Sequence, residues 1–218
     1  SKIALEMQPQ TLWQMYNDLG FGTPPQTGFP GATGGRLRPA KSWRPIEQAT
    51  ISYGHGISVS LMQLVRAYTA LARNGDVIDL TFRRTSKEAV GTQIFRPEVA
   101  RQMRAMMAET VQAGTARRVN VQGYTVAGKT GTANKIENGQ YVDKYVASFV
   151  GMAPAGQPRL IVAVMIDEPT RGSYYGGAVA APVFNEVTAG ALRLIGVHPD
   201  AAGFGAAPGI LVRGQRND

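Results

Sequence analysis

Apolar residues recur with a helical period in four stretches of the chain. Between residues 9 and 19, Leu12, Trp13, Tyr16 and Leu19 mark one face and Gly20 follows as a stop, which predicts a short amphipathic helix. From Ser58 to Ala72, the residues Val59, Met62, Leu64, Val65, Tyr68 and Leu71 give a second apolar face, closed by Asn74-Gly75. Arg96-Pro97-Glu98 opens a third helix with proline near its first turn, and Val99, Met103, Met106, Met107 and Val111 are its expected inward residues. Methionines at this spacing read as core packing. The last helix spans roughly 182–195, with Val183, Phe184, Val187, Ala191, Leu192 and Ile195 inward.

Elsewhere the pattern is broken or has a period of two. Gly22, Pro24, Pro25, Gly28, Pro30, Gly31, Gly34, Gly35, Pro39 and Pro45 punctuate residues 20–49, predicting a long surface loop. Residues 77–95 alternate weakly, enough for one or two short strands. From residue 121 Tyr124 to Ala127 reads as a strand, Asn138-Gly139 is the strongest hairpin signal, and Tyr141 to Ala153 is the returning strand. A turn at 154–158 leads into the apolar run Leu160 to Ile166, expected as a buried strand, which ends in Asp167-Glu168-Pro169. Gly172 to Gly177 then reads as a glycine-rich turn, and residues 199–218 as a flexible tail. The whole predicts an α+β fold, three consecutive antiparallel strands flanked by helices, without internal repeats.

Composition narrows the classes. A chain of 218 residues that is 44% hydrophobic can bury a sizeable core, and it holds no run of 18 apolar residues. The first residues, Ser1-Lys2-Ile3-Ala4-Leu5, lack the features of a signal peptide, so any export signal or anchor is expected outside this sequence. The 23 Lys and Arg against 15 Asp and Glu are scattered, with pairs only at Arg83-Arg84 and Arg117-Arg118. No basic run interleaves with aromatics, so a basic surface is expected and no nucleic-acid partner. With no cysteine there is no thiol nucleophile and no disulfide. His55 and His198, without a companion cluster, read as structural or exposed, and neither a metal nor a cofactor is expected.

Residues 123–130, Gly-Tyr-Thr-Val-Ala-Gly-Lys-Thr, fit the phosphate-loop pattern G-x-x-x-x-G-K-[ST] at every specified position. A phosphate loop needs a flexible turn between its glycines and a helix starting at the Lys-Thr end. Here Thr125 and Val126 are β-branched, and Gly131 and the Asn138-Gly139 hairpin follow the lysine. A nucleotide hydrolase is therefore the remote alternative.

Read from Ala127 onward, Ala-Gly-Lys-Thr-Gly-Thr-Ala places a lysine and two hydroxyls on a strand. This resembles the K-[ST]-G motif of penicillin-binding proteins and serine β-lactamases. With Ile51-Ser52-Tyr53-Gly54-His55-Gly56, Leu61-Met62-Gln63-Leu64, Gly114-Thr115-Ala116 and Asp167-Glu168-Pro169 in this order, the chain resembles a class B penicillin-binding protein over about residues 1–196. Ser173-Tyr174-Tyr175-Gly176-Gly177 is similar to the division-specific transpeptidase of Gram-negative bacteria. The resemblance implies a penicillin-binding transpeptidase or serine β-lactamase-like domain, of which residues 1–198 would be the C-terminal portion. It implies a D,D-transpeptidase that cross-links peptidoglycan stem peptides through an acyl-serine and is acylated by β-lactams. By the same resemblance Lys129 joins the serine network, and the backbone amide of Thr132 serves as half of an oxyanion hole. The hydroxyls of Thr130 and Thr132 hold the donor or antibiotic carboxylate, and Gly131 admits substrate close to the backbone. Tyr145, Tyr174 and Tyr175 stand where such enzymes place an aromatic wall; strand packing is the competing reading for each.

The resemblance stops at the nucleophile. None of the serines, at 1, 42, 52, 58, 60, 86, 148 and 173, has lysine three positions on or asparagine two positions on, so neither S-x-x-K nor S-x-N occurs. The attacking serine is expected outside the chain, on an upstream half of the same domain, and the chain alone is expected to be inactive and to leave an apolar face exposed. Implied partners are that upstream half, the stem peptide, β-lactams and cell-division proteins, at the periplasmic face of the inner membrane. A β-lactam-sensing receptor domain and a serine β-lactamase remain open as alternatives.

Overall fold

The computed structural model describes residues 1–201. Helices α1 (Lys2–Glu6), α2 (Pro9–Asp18), α3 (Pro45–Ile51) and α4 (Leu61–Ala72) come first, with a 3-10 turn at Ala40–Ser42. Strands β1 (Asp76–Val77) and β2 (Thr92–Gln93) form a small antiparallel ladder, and α5 (Pro97–Gln112) follows. Then come the long strands β3 (Ala127–Glu137), β4 (Gln140–Ala153) and β5 (Leu160–Asp167) and the helix α6 (Gly176–Leu194). The three long strands pair antiparallel in the order β3-β4-β5, so the expected α+β meander is correct. Asn138 (φ 51°) and Gly139 (φ 78°) both take positive φ at the β3-β4 turn, the conformation a two-residue hairpin loop requires.

One sheet face packs on α6. Phe149 and Phe184 meet edge to face with centroids 4.7 Å apart, among Val164, Ala180, Ala181 and Leu192. Each fully buried side chain of this size contributes about 1.5–3 kcal/mol. The other face meets α4 and α5 through Met107, Ala127 and Met152, with Tyr68 and Leu71 against them. Toward the hairpin that second face lies open: Lys129, Ala133 and Met165 are exposed. Among the described residues, no helix is long and apolar enough to cross a membrane.

Two buried glutamines fasten the irregular segments. Gln63 pairs with the N-cap Ser60 in a capping box, and its amide donates to the carbonyls of Gly20, Thr23 and Gly34 at 3.0, 3.1 and 2.8 Å. Gln48 donates to the carbonyls of Ala4 and Met7 at 2.6 and 2.8 Å, holding the end of α1 against α3. A loop rich in glycine and proline thereby gains fixed partners for its backbone.

Several sequence expectations need correction. The loop predicted at 20–49 ends early, because Pro45 is the first residue of α3, where a missing N–H costs nothing. Helix α6 starts at Gly176, inside the expected turn, and its inner stripe is Ala180, Ala181, Phe184, Thr188 and Leu192, while Val183, Val187 and Ile195 are exposed. Likewise Met103 and Met106 of α5 are exposed, and Ala100, Met107 and Val111 are buried. Small residues mark the inner faces because the helices lie close to the sheet. On α4 the fully buried positions are Gln63, Ala67, Thr69 and Ala70, between the apolar residues the spacing picks out. Strand β3 begins at Ala127, so Tyr124 to Val126 form its lead-in, and β5 is an edge strand in which Val164 alone is buried. At the start of the expected tail, Asp200 accepts hydrogen bonds from the backbone N–H and the hydroxyl of Thr125 at 2.8 and 2.5 Å, so the chain is docked there. The rest of that tail, 202–218, lies outside the described residues.

Candidate active site

Strand β3 is an outer strand of the sheet, at the edge opposite β5, and carries Lys129, Thr130, Gly131 and Thr132 in succession. Lysine at position 129 is followed by further strand, with no helix N-terminus to receive a phosphate, so the phosphate-loop match has no structural basis. Side chains alternate along β3, which places Lys129 and Gly131 on the open face and Thr130 and Thr132 on the α6 face. The exposed Lys129 ammonium donates to the Thr130 carbonyl at 2.8 Å and lies 3.4 Å from the Thr130 hydroxyl. That hydroxyl is also 3.1 Å from the hydroxyl of Thr115, so the Gly114-Thr115-Ala116 segment after α5 is part of this site. Thr110 reaches the same strand, donating to the Gly128 carbonyl at 2.5 Å.

Thr132 is held from the other side. Its hydroxyl accepts the N–H of Gly176, the first residue of α6, at 3.1 Å. That bond occupies a lone pair and leaves the hydroxyl proton free to donate to a ligand. A Cβ at Gly131 would meet the Ser148 hydroxyl oxygen at 2.5 Å, so any larger residue there would have to turn that hydroxyl away.

The three tyrosines form one group. Tyr145 and Tyr174 stack at 3.9 Å between centroids with an 11° interplanar angle, and Tyr174 contacts Tyr175 at 4.5 Å. Tyr145 faces Asn134 in the β3-β4 register, two residues beyond Thr132, and Tyr175 immediately precedes Gly176. The hydroxyls of Tyr174 and Tyr175 lie 3.3 Å apart, and their hydrogen bond raises the Tyr175 pKa. Tyr145 and Tyr174 are half-buried in the stack, whereas Tyr175 remains 59% exposed at its end.

Along the same strand runs a cleft of about 730 Å³, lined by Thr132, Ala133, Asn134 and Ile136 on one side and by Thr50, Tyr53 and Ile57 on the other. His55 and Tyr141 close its far end, with the tyrosine hydroxyl 3.0 and 3.2 Å from the two ring nitrogens. His55 therefore stands at the cleft, a place that its isolation in the sequence does not suggest. The only signal for it is its position inside Tyr53-Gly54-His55-Gly56, and the signal for Thr115 is the Gly114-Thr115-Ala116 segment. All the expected site residues, from Lys129 to Tyr175, thus fall on β3, on the facing part of β4, or at the start of α6. Chemically the arrangement offers a cation, hydroxyl donors and an aromatic surface, suited to an anionic, extended ligand.

Residues 1–189 match the family model for the penicillin-binding protein transpeptidase domain. Among curated proteins, the chain is 45% identical over 201 residues to the probable peptidoglycan D,D-transpeptidase PenA of Neisseria flavescens, covering 91% of the chain and 50% of that protein. It is 36% identical over 203 residues to the peptidoglycan D,D-transpeptidase FtsI of Escherichia coli K12, covering 92% and 34% respectively. The chain thus spans about a third to a half of the length of these relatives. Among solved structures, the apo transpeptidase domain of Burkholderia pseudomallei penicillin-binding protein 3 is 48% identical, with a TM-score of 0.87 over 92% of this chain and 62% of that one.

Proposed function

We propose, since the chain belongs to the penicillin-binding protein transpeptidase domain family, that it supplies the substrate-binding wall of a peptidoglycan D,D-transpeptidase whose serine nucleophile lies on sequence outside this chain. The observation that carries the reading is the Lys129 to Thr132 segment on the outer strand, with the cleft beside it and the Thr132 hydroxyl fixed by α6.

In this mechanism the serine oxygen attacks the carbonyl carbon of the penultimate residue of a stem peptide, and the terminal amino acid leaves as an amine. The amino group of a second stem peptide then attacks the acyl-serine ester, so that the new amide bond forms as the bond to the serine oxygen breaks, and the proton the amine loses regenerates the serine hydroxyl. The tetrahedral oxyanion accepts the Thr132 backbone N–H, a kind of contact worth about 2.7–4 kcal/mol when one donor is removed. The donor's terminal carboxylate accepts from the Thr130 and Thr132 hydroxyls under the positive potential of Lys129, whose ammonium also joins the serine's proton network. Tyr145, Tyr174 and Tyr175 pack against the donor's side chain. β-Lactams enter the same cleft and leave the serine acylated.

The open sheet face around Lys129, Ala133 and Met165 supports the view that an upstream half of the domain covers it and brings the serine. On this reading the chain by itself is inactive. A role in division with cell-division proteins as partners goes with the Ser173-Tyr174-Tyr175-Gly176-Gly177 resemblance, and peptidoglycan, the polymer in the relatives' names, supports a periplasmic location with an anchor elsewhere in the protein. No observation favours the β-lactam sensor or the β-lactamase.

The test is covalent labelling of the intact protein by a fluorescent penicillin. Label that survives denaturing electrophoresis is expected, and it is expected to disappear in Lys129→Ala while the unfolding temperature holds. An intact wild-type protein that takes no label refutes the reading.

A further inference from the structure

A charged cluster lies behind the tyrosine group, joined to it through the backbone. The ammonium of Lys135 donates to both oxygens of Asp167 at 3.1 and 3.3 Å and to Glu168 at 2.7 Å. Lys144 pairs with Glu137 at 2.7 Å and approaches Glu168 at 3.9 Å. Glu168 is thus the node at which β3, β4 and the β5-α6 connection meet.

The backbone has been shaped to make that node. Between the pairs Asn134↔Tyr145 and Ile136↔Tyr141 the ladder is irregular, with Lys135 alone on β3 opposite Val142, Asp143 and Lys144 on β4. An irregularity of this kind bends the hairpin and re-aims its side chains. Lys135 accordingly reaches across β4 to the end of β5. Glu168 takes φ 49°, a left-handed conformation disfavoured for a residue with a Cβ. Its N–H donates to the Tyr145 carbonyl at 2.9 Å while its carboxylate meets Lys135. From there the chain runs through Pro169 to Tyr174, whose ring stacks on Tyr145.

We propose that Lys135 and Glu168 are positioning residues for the tyrosine wall: they set where Tyr145 and Tyr174 stand relative to the Lys129–Thr132 strand, and so set selectivity for acyl donors whose side chain reaches the wall. The inference rests on the acyl-transfer reading of the site. Isolated ion pairs at a surface hold little energy, so the effect of this one is on placement. The hydrogen bonds to Glu168 and then Asp167 raise the Lys135 pKa, keeping it cationic where the wall operates.

The test compares two penicillins on the intact protein: benzylpenicillin, which carries an aryl side chain, and 6-aminopenicillanic acid, the same nucleus without it. In Lys135→Met and in Glu168→Gln the second-order acylation rate is expected to fall about fivefold to tenfold for benzylpenicillin, less than the ~100-fold that a 1 Å misplacement of reacting groups can cost. The rate for 6-aminopenicillanic acid is expected to stay within about twofold, and Lys135→Arg to restore the aryl selectivity. Thermal unfolding of both variants near that of the wild type shows that the domain is intact. Equal losses for the two penicillins, or no loss for either, overturn the positioning role. A wild-type protein acylated by neither overturns the acyl-transfer reading itself and the proposal with it.

Discussion

Two glycines of α6 give opposite predictions. A Cβ on Gly176 would stand 2.2 Å from the Ser148 carbonyl oxygen and 2.6 Å from that of Gly131, both backbone atoms of the sheet. Ordinary contact begins at 3.4 Å, so Gly176→Ala requires the start of the helix to retreat by more than 1 Å. Overpacking typically costs about 1–3 kcal/mol, and backbone on both sides places this site at the upper end. The retreat also breaks the bond to the Thr132 hydroxyl, which adds about 1 kcal/mol. For a domain of this size the sum lowers the melting temperature by about 8–16 °C, at about 2–4 °C per kcal/mol. A Cβ on Gly190, in the same helix, meets nothing within 4 Å. Gly190→Ala therefore gains about 0.5–1 kcal/mol from helix propensity and raises the melting temperature by about 1–4 °C. Calorimetry of the intact protein measures both, and penicillin labelling of the Gly176 variant is expected to slow because Thr132 and Tyr175 move with the helix. A neutral Gly176→Ala, or a Gly190→Ala as harmful as it, would refute the close-approach reasoning.

Gln63→Leu leaves the carbonyls of Gly20, Thr23 and Gly34 without their donor, and is expected to cost about 3 kcal/mol or more and to open residues 20–34 to proteolysis. Unchanged protease resistance would contradict this. Glu47 accepts the Arg44 backbone N–H and the Arg38 guanidinium, which lower its pKa from 4.5 to about 2. Its contribution to stability is therefore complete above its ordinary value and is lost as pH falls toward 2. The melting temperatures of wild type and Glu47→Gln should accordingly differ at neutral pH and converge in strong acid; a constant difference would exclude this linkage.

Strand order was legible because Asn138-Gly139 fixes one hairpin and the turn at 154–158 fixes the next, so local signals determined the whole sheet. Helix faces were less so. Helix α6 is apolar on two sides, and which side is inside depends on how closely the sheet lets it approach, a property of Ala180 and Ala181 that hydrophobicity scores poorly. The Lys129–Thr132 segment could be read directly, whereas the tyrosine group needs the β3-β4-β5 pairing to bring Tyr145 beside Tyr174. His55 carried no periodic or spacing signal, since the residue it meets, Tyr141, belongs to the far hairpin.

The contact between His55 and Tyr141 also makes the molecule measurable. It joins two segments distant in sequence, at exposed positions on opposite banks of the cleft. Because the chain has no cysteine, two introduced thiols, one on each bank, would be the only ones it carries. A spin-label or fluorophore pair placed beside these residues would act as a ruler for that end of the cleft, read with and without a bound β-lactam and independently of turnover.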